Sequence, residues 1–400
     1  MDIKHLLKDH GYQNVPLTFE EAYALGEFTV RVCKSGPAED VEDLDAYIQS
    51  VAQSITVLSV LHNRATYAWR NGSSAHRCNG DTPPSAAAQI AGVCAAVLEE
   101  DVAKSEFGLA RPQVPFAIDN CGMGGDLTVT ANVSTIAALI AATAGIPMFK
   151  HGSPANADKG RHGSSDFIHL LGINPAVSKE TMERCVERTC FGYIEALDRR
   201  YKHIHALTHD VAQLPHMNDI IGPITAPIAP DVLTRRVVGV NHLIPPIVVA
   251  EAYRILNERG IANLNHGFFV RGFTDSERYH DRGMDEVSIC SGGTQVAELR
   301  KGEVFEYDLF ASDFGLKEVP AESISPPDGV SKGEFSFRIL RGEVEGPPLQ
   351  MVLANAALLF RLAGRSESFR ECYAMAEETF RSGRVFDKVA EVSEALMVPV

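Results

Sequence analysis

The chain has 400 residues, of which 45% are hydrophobic and 22% are charged, an ordinary composition for a globular enzyme. Because single hydrophobic cores rarely grow past about 250–300 residues, this length predicts two domains. A formal net charge of −15 and a pI near 5.4 argue against nucleic acid and anionic membrane surfaces as partners. No uninterrupted run of about 18 apolar residues and no apolar secretory core are found, so neither a membrane span nor a signal peptide is predicted.

The cysteines indicate a reducing compartment and no metal motif. Eight cysteines are scattered along the chain, and none forms a Cys-x-x-Cys pair, which argues against a zinc site or a redox motif. Such scatter is typical of reduced thiols and favours a cytoplasmic protein. Cys121 lies beside a glycine-rich turn, but the local sequence places no base near it, which favours a packing role over a nucleophile.

The first part of the chain has a helical pattern. Thr18 followed by Glu21 forms a capping box, which predicts the start of a helix. Apolar spacing then predicts further helices over 44–69 and 85–102, separated by a polar loop. We therefore predict an all-helical N-terminal domain over residues 1–108, with a helical return at about 181–213.

Strands alternate with helices in the remainder, residues 109–400. Such alternation predicts an α/β domain with a mostly parallel central sheet covered on both faces. The predicted strands are 145–150, 237–240, 261–270 and 304–309, and the predicted helices are 164–172 and 245–259. The segment 316–333 is polar and proline-rich, and we find no catalytic signal in it.

A glycine-rich turn opens the α/β domain. Residues 122–125 contain three glycines, which let the backbone approach a ligand closely because no Cβ intervenes. The small-residue run that follows has the pattern of a packed helix, which puts the Asn-Val-Ser-Thr segment at 132–135 at a helix N-terminus that attracts phosphate. Lys150 adds a positive charge one element later. The combination favours a phosphate site over a plain turn between a buried strand and a buried helix.

Two adjacent acids follow the later strands. Asp285 and Glu286 lie in a glycine turn, where carboxylates together with phosphate oxygens suit Mg²⁺. An Asp-Glu pair by itself is more often solvated surface, so the metal interpretation depends on its context.

These motifs resemble those of the anthranilate phosphoribosyltransferases of glycosyltransferase family 3. The family pattern is Gly-Thr-Gly-Gly-Asp, Asn-x-Ser-Thr and Lys-His-Gly, which this chain matches at 122–126, 132–135 and 150–152, with Met123 in place of Thr. The loop at 222–227 resembles the family's Gly-Pro-Leu-Thr-Asn-Pro, and Asp285-Glu286 resembles its Gly-Leu-Asp-Glu. The resemblance covers most of the chain.

The resemblance implies a donor, 5-phosphoribosyl 1-diphosphate, that is bound together with Mg²⁺. It implies that the donor contacts Gly122, Gly124, Gly125, Asp126, Thr130, Asn132, Ser134, Thr135, Lys150 and Gly152. Ser134 and Glu286 would share one Mg²⁺, while Asp285 and Glu286 would hold a second. Alternative roles remain open, with Asp126 as a strand-to-helix cap and with Ser134 and Thr135 as plain N-caps.

The resemblance is weaker where the family binds its acceptor. The family motif continues as Asn-Arg, and this chain has Ser153 at the Asn position. The family also uses an arginine to bind the anthranilate carboxylate, but residues 201–234 contain none, and His209 aligns there. Histidine does not replace a bidentate arginine, and Arg161 and His162 are an alternative source of positive charge. The acceptor residues that the resemblance implies are His151, Ser153 and His209.

We therefore predict a Mg²⁺-dependent phosphoribosyltransferase of tryptophan biosynthesis that uses anthranilate as acceptor, and by resemblance a cytoplasmic homodimer. No acid or base is nominated, because an aromatic amine is already neutral at pH 7. Alternatives are a paralogue with another aromatic or heterocyclic acceptor, a nucleoside phosphorylase, a phosphate-ligand sensor, and a non-catalytic nucleic-acid-binding relative. Phosphorolysis needs no metal pair, so the two acids argue against the phosphorylase.

Overall fold

The computed structural model describes residues 6, 16–35, 41–70, 83–124, 126, 128–154, 163–205, 217–241, 244–278 and 283–397. In chain order the helices are α1 (Phe19–Ser35), α2 (Val41–Arg70), α3 (Pro83–Ala96), α4 (Val133–Thr143), α5 (Ser164–Leu170), α6 (Lys179–Thr189), α7 (Asn218–Ile221), α8 (Pro246–Glu258), α9 (Lys332–Leu340), α10 (Pro347–Leu362), α11 (Phe369–Arg381) and α12 (Arg384–Met397). A π-helical turn, Val97–Val102, continues α3, and short 3₁₀ turns lie at Ala311–Phe314 and Ala321–Ile324.

The strands are β1 (Ile118–Gly122), β2 (Met148–Gly152), β3 (Phe191–Glu195), β4 (Arg235–Gly239), β5 (His266–Phe273), β6 (Gly283–Met284), β7 (Thr294–Arg300) and β8 (Glu303–Leu309). They form one sheet in the order β3-β2-β1-β4-β5-β7-β8, with β6 paired to β5 outside that order. The five strands from β3 to β5 are mutually parallel, and β7 and β8 extend the sheet as an antiparallel hairpin. The predicted fold class, a helical N-terminal region plus a larger α/β domain with a mostly parallel sheet, is confirmed.

The chain divides into two compact units. The smaller comprises residues 1–109, 196–227 and 243–262, and the larger comprises 110–195, 228–242 and 263–400. The division differs from the sequence-based domains, because α8 joins the helical unit. The segment 181–213 also differs from the predicted helical return, since most of α6 and all of β3 fall within it and both belong to the larger unit.

In the smaller unit, α3 is the buried central helix. Its alanine-rich sequence presents little side-chain bulk, and α1 packs so closely that a Cβ on Gly92 would collide with the carbonyl oxygen of Phe19 and the side chain of Ala22. The capping box predicted at the start of α1 is confirmed, because the Glu21 N–H donates to Thr18 Oγ1 at 3.2 Å and the Thr18 N–H donates to Glu21 Oε2 at 2.9 Å.

In the larger unit, helices surround a sheet whose parallel strands are almost wholly buried. α4 connects β1 to β2 and has an apolar sequence, VSTIAALIAAT, because it lies in the core. The predicted strands at 145–150, 237–240 and 304–309 correspond to β2, β4 and β8. The strand predicted at 261–270 lies later, at β5, because 261–265 form the turn after α8.

One described helix, α2, is long and apolar enough to cross a membrane by length and composition alone. The window Leu44–Leu61 has a mean hydropathy of 1.2, and 22% of it is buried. No membrane span was predicted because the chain has no uninterrupted run of about 18 apolar residues, and in this window Gln49, Gln53 and Ser54 break the run. A single helix of this kind is weak evidence for a membrane span, since helices of soluble proteins meet the same criterion.

We predict that Gly92→Ala destabilises the smaller unit although alanine is the better helix former. Replacing a helical glycine by alanine ordinarily stabilises by about 1 kcal/mol. Here the added methyl group meets backbone atoms of α1, so we expect the free energy of unfolding to fall by about 1–3 kcal/mol. Urea denaturation measures this change, with Gln49→Ala at an exposed position of α2 as the control. Unchanged or higher stability of Gly92→Ala would contradict the close packing of α1 on α3.

Candidate active site

The glycine-rich turn after β1 makes room for the side chain of Asp285. A Cβ on Gly122 would collide with the Asp285 carboxylate, and one on Gly239, at the end of β4, would collide with the Asp285 carbonyl oxygen. Gly124 has a φ of +69°, which favours glycine, and its N–H donates to Asp285 Oδ2 at 2.7 Å. The first glycine therefore accommodates a protein carboxylate rather than only a ligand. Gly125 lies outside the described residues.

Three carboxylates converge at this turn. Ligand oxygens of Asp126, Asp285 and Glu286 lie within 4.8 Å of one another. Asp126 Oδ2 accepts a hydrogen bond from the Asp285 N–H at 3.0 Å, and Glu286 Oε2 accepts one from Thr130 Oγ1 at 2.9 Å. Asp126 is thus tied by a hydrogen bond to the loop that carries Asp285 and Glu286, and an all-oxygen cluster of this kind suits a hard divalent cation such as Mg²⁺.

Burial, together with mutual repulsion, raises the pKa of two acids of the cluster. Burial and the neighbouring charge of Asp285 raise the pKa of Glu286 to about 7, against a partial lowering by Lys332. The same two causes, burial and then Asp285, hold the pKa of Asp126 well above its ordinary value. Negative charge is therefore concentrated where it is costly without a cation, which is the physical signature expected of a metal site.

The N-terminus of α4 lies at the same cavity. Asn132 is the N-cap, but its side chain makes no capping bond; its N–H and Nδ2 instead donate to Ser336 Oγ at 2.7 and 3.1 Å. Ser134 lies in the first turn and lines the cavity. Thr135 is fully buried and does not. Ser134 and Thr135 both lie inside the helix, and Asn132 occupies the N-cap position. The alternative role of Ser134 and Thr135 as plain N-caps is therefore wrong.

Lys150 lies behind the cavity rather than in its wall. Its side chain is fully buried, and Nζ donates to the Asn120 carbonyl oxygen and to Ser134 Oγ, the latter at 3.2 Å. Asn120 Nδ2 in turn donates to the Ser134 carbonyl oxygen at 2.7 Å. Burial lowers the pKa of Lys150. Lys150 thus holds the β1 end and the start of α4 together, and it orients the Ser134 hydroxyl.

His151 faces a buried ion cluster and is not among the residues that line the cavity. Its N–H donates to Asp119 Oδ1 at 3.0 Å, its Nδ1 lies 2.9 Å from Asp119 Oδ2, and the Arg236 guanidinium pairs with the same carboxylate. Burial raises the pKa of Asp119, but the charges of His151 and Arg236 outweigh that effect and hold it well below its usual value. The cluster joins β1, β2 and β4 directly beneath the site.

One cavity in the larger unit collects most of the residues predicted from the motifs. It is lined near the glycine turn, the start of α4 and the Asp285-Glu286 pair by Gly122, Gly124, Asp126, Thr130, Asn132, Ser134, Asp285 and Glu286, and elsewhere by Gly152, Ser153, Pro154, Gly163 and Ser164. Apolar walls come from Val133, Val237, Val270 and Leu359. Gly152 is closely packed, because a Cβ there would collide with Ser164 Oγ and Tyr193 Oη. His209, Arg161 and His162 lie outside the described residues.

Two further polar residues of the cavity were not among the predicted site residues. Lys332 begins α9, inside a stretch in which no catalytic pattern was found, and Asn355 lies in α10. Asn355 Oδ1 accepts from the Val287 N–H at 2.9 Å and its Nδ2 donates to the Val287 carbonyl oxygen at 3.1 Å, which anchors the loop after Glu286. Only the fold brings either residue to the site.

Cys121 lines the cavity but is unsuited to act as a nucleophile. Burial raises the pKa of its thiol to about 12, so the sulfur stays protonated near neutral pH. The packing role expected from the sequence fits this environment.

Comparisons with known proteins give the family. The profile described as glycosyl transferase family, a/b domain, matches residues 115–386. The anthranilate phosphoribosyltransferase of Anaeromyxobacter dehalogenans is 31% identical over 302 residues, which cover 75% of this chain and 82% of that protein. That of Symbiobacterium thermophilum is 32% identical over 287 residues, which cover 70% and 78%.

Solved structures agree in fold. Anthranilate phosphoribosyltransferase from Thermus thermophilus superposes with a TM-score of 0.71 at 25% identity, covering 100% of both chains. The Saccharomyces cerevisiae enzyme in complex with PRPP and Mg superposes with a TM-score of 0.73 at 20% identity, covering 98% of this chain and 97% of that one. The chain belongs to this glycosyl transferase family, and the resemblance predicted from its motifs is confirmed.

We predict that Mg²⁺ stabilises the protein more at about pH 8 than at about pH 5.5. The pKa of Glu286 is raised in the folded state, so its contribution to stability is present below its unfolded pKa and is lost as pH rises through about 7. Mg²⁺ binds the ionised carboxylates and restores that loss only at the higher pH. Thermal unfolding with and without Mg²⁺ at both pH values measures the difference.

Two variants make this test specific. Glu286→Gln should lose the pH dependence of the Mg²⁺ effect, and Glu303→Gln, at an exposed position of β8, should keep it. An equal Mg²⁺ shift at both pH values in the unmodified protein would show that these carboxylates do not bind the ion.

We also predict that Arg236→Met strongly destabilises the larger unit. Arg236 is 1% exposed and Asp119 is fully buried, so the substitution leaves a buried carboxylate with less compensating charge. The free energy of unfolding should fall by about 3–5 kcal/mol in urea denaturation. Arg254→Met removes a half-exposed arginine that pairs with Glu251 and Glu258, and it should cost at most about 1 kcal/mol. Similar losses for both variants would contradict a special role for the buried cluster.

Proposed function

We propose that this chain is a Mg²⁺-dependent anthranilate phosphoribosyltransferase, which transfers the phosphoribosyl group of 5-phosphoribosyl 1-diphosphate to the amine of anthranilate. The observation that carries the proposal is a single cavity in which three carboxylates face a glycine turn and the N-terminus of α4. Both features suit a phosphorylated donor with its metal. The named activity of the relatives in the family supplies the acceptor.

The donor site is built from backbone and small side chains. We assign donor contacts to Gly122, Gly124, Asn132, Ser134 and Gly152, which line the cavity. The sequence-predicted donor residues Thr135 and Lys150 act from behind this wall, Lys150 through its hydrogen bond to Ser134 Oγ. Free N–H groups at the first turn of α4 and its positive dipole end favour phosphate oxygens.

The metal site uses Asp285, Glu286 and Ser134, with Asp126 completing the carboxylate cluster. Mg²⁺ bound there would neutralise charge on the diphosphate leaving group. The chain itself holds the acids in place, since the Gly124 N–H and the Thr130 hydroxyl each donate to one of them. The residues present therefore fit a divalent ion.

The reaction needs positioning more than proton transfer. The anthranilate nitrogen uses its lone pair to form a bond to C1 of the ribose, while the C1–O bond breaks and its electron pair leaves with diphosphate. The nitrogen then loses one proton to solvent. Because charge develops at C1 and on the departing oxygens, catalysis comes from fixed electrostatics and from holding the two reactants in line.

The acceptor end of the cavity is defined by Ser153 and Ser164 next to Gly152. Tyr193 Oη and Ser165 Oγ lie 2.7 Å apart and fix the wall behind it. We assign the anthranilate ring to this end of the cavity. The sequence-predicted acceptor residue His151 acts as a positioning residue through Asp119. We further propose a cytoplasmic homodimer that serves tryptophan biosynthesis.

The direct test is release of diphosphate from 5-phosphoribosyl 1-diphosphate and Mg²⁺, with and without anthranilate. We predict release that depends on anthranilate, and a loss of kcat/KM of at least about a hundredfold in Asp285→Asn, because a metal ligand is removed. Glu303→Gln, at an exposed position, is the matched control and should keep full activity. Donor binding without anthranilate-dependent release would retain the donor site and overturn the acceptor assignment.

A further inference from the structure

Lys332 is a positive charge in a cavity of negative side chains. Among the described residues that line the cavity, Asp126, Asp285 and Glu286 are acidic and Lys332 is the one basic residue. It is half-buried at the first position of α9. The Pro-rich stretch before it gave no catalytic signal, so no motif assigns Lys332 a role.

The Lys332 ammonium is not consumed by an internal ion pair. In the part of the chain that the structure describes, it forms no hydrogen bond and no salt bridge, and only the Lys332 carbonyl oxygen is bonded, to Ser336 Oγ. Its charge nevertheless lies close enough to Glu286 to lower the pKa of that carboxyl. A lysine in the cavity wall whose ammonium is hydrogen-bonded to no described protein group is available to an anionic ligand.

Hydrogen bonds through Ser336 connect the backbone of Lys332 to Asn132 at the start of α4. Ser336 Oγ donates to the Lys332 carbonyl oxygen at 2.6 Å and accepts from both the N–H and Nδ2 of Asn132. Ser331 caps α9 by accepting from the Glu334 N–H at 3.2 Å. The starts of α9 and α4 are thus held together by one hydroxyl, so the Lys332 side chain extends from a position set by Asn132.

Lys150 does not supply a positive charge to the cavity in the same way. Its Nζ donates to the Asn120 carbonyl oxygen and to Ser134 Oγ, and the side chain lies buried behind the cavity wall. The diphosphate group of the donor adds negative charge to a cavity that already holds three carboxylates. Among the described lining residues only Lys332 adds positive charge on the cavity side, and a compact ammonium suits a phosphate oxygen.

We propose that Lys332 is a substrate-binding residue that contacts the diphosphate group of the donor and stays with it as it leaves. The inference rests on the proposed function, because it names a further residue of the same donor site. Lys332 forms no covalent bond and transfers no proton. It adds one charge-assisted hydrogen bond, beside the metal, to the oxygens on which negative charge develops.

The test measures diphosphate binding to the full chain in the presence of Mg²⁺ by isothermal titration calorimetry. Lys332→Met removes the ammonium but keeps the length of the side chain, its helix propensity and the carbonyl bonded to Ser336. We expect affinity for diphosphate to fall about tenfold to a hundredfold. Lys332→Arg should recover most of it, and Lys317→Met, at an exposed lysine, should bind as the unmodified chain does.

Two further readouts separate this role from a structural one. In steady-state kinetics, Lys332→Met should raise KM for the donor and lower kcat, while KM for anthranilate and the thermal midpoint stay unchanged. Titration with ribose 5-phosphate alone, which lacks the diphosphate, should give equal affinities for the unmodified chain and for Lys332→Met.

The possible failures are distinguishable. If the unmodified chain binds diphosphate and Lys332→Met binds it equally well, the assignment of Lys332 is overturned and the proposed function stands. If only KM for anthranilate or only ribose 5-phosphate binding changes, the diphosphate contact is equally overturned. If the unmodified chain binds neither diphosphate nor the donor, both proposals fall together.

Discussion

The loop carrying Asp285 and Glu286 lies so close to the ends of β1 and β4 that neither strand can end in a residue with a side chain there. A Cβ on Gly122 or on Gly239 would occupy the space of Asp285 atoms. β1 and β4 are neighbours in the parallel part of the sheet, so their carboxyl ends meet at this point. Ligands of open α/β sheets bind outside such strand ends, and here the fold brings the Asp285-Glu286 carboxylates to that crevice.

The site is a local excess of negative charge that the surrounding structure maintains. The Gly124 N–H and the Thr130 hydroxyl hold two of the acids in position, and burial and the charge of Asp285 keep the pKa of Glu286 near 7. Beneath the site, the buried Asp119 cluster ties β1, β2 and β4 into one platform. The arrangement is costly when empty and favourable with a cation, as expected of a site selected for function over stability.

The local parts of this site could be predicted from the sequence, and its long-range parts could not. Three motifs can each be recognised from a few consecutive residues: the glycine turn, the Asn-Val-Ser-Thr helix start and the Asp285-Glu286 pair. β2, by contrast, is buried along its whole length, so its pattern does not show that Lys150 and His151 turn to partners behind the cavity. Lys332 was missed because Ser336 and Asn132 are 204 residues apart, and only folding places them in contact.

The arrangement also accounts for the uneven match of this chain to the family motifs. Donor-site residues sit at strand ends and helix starts, and they share hydrogen bonds such as those of Ser336 Oγ, so a change at one position disturbs several others. Ser153 and Ser164 come instead from the two ends of the 153–164 connection, and Ser164 Oγ lies against Gly152. If the acceptor binds there, as we propose, its contacts come from a connecting segment, and such segments tolerate changes more readily than the strands and helices they join. The departure at Ser153 directly follows an intact Lys-His-Gly, at the point where β2 ends and this connection begins.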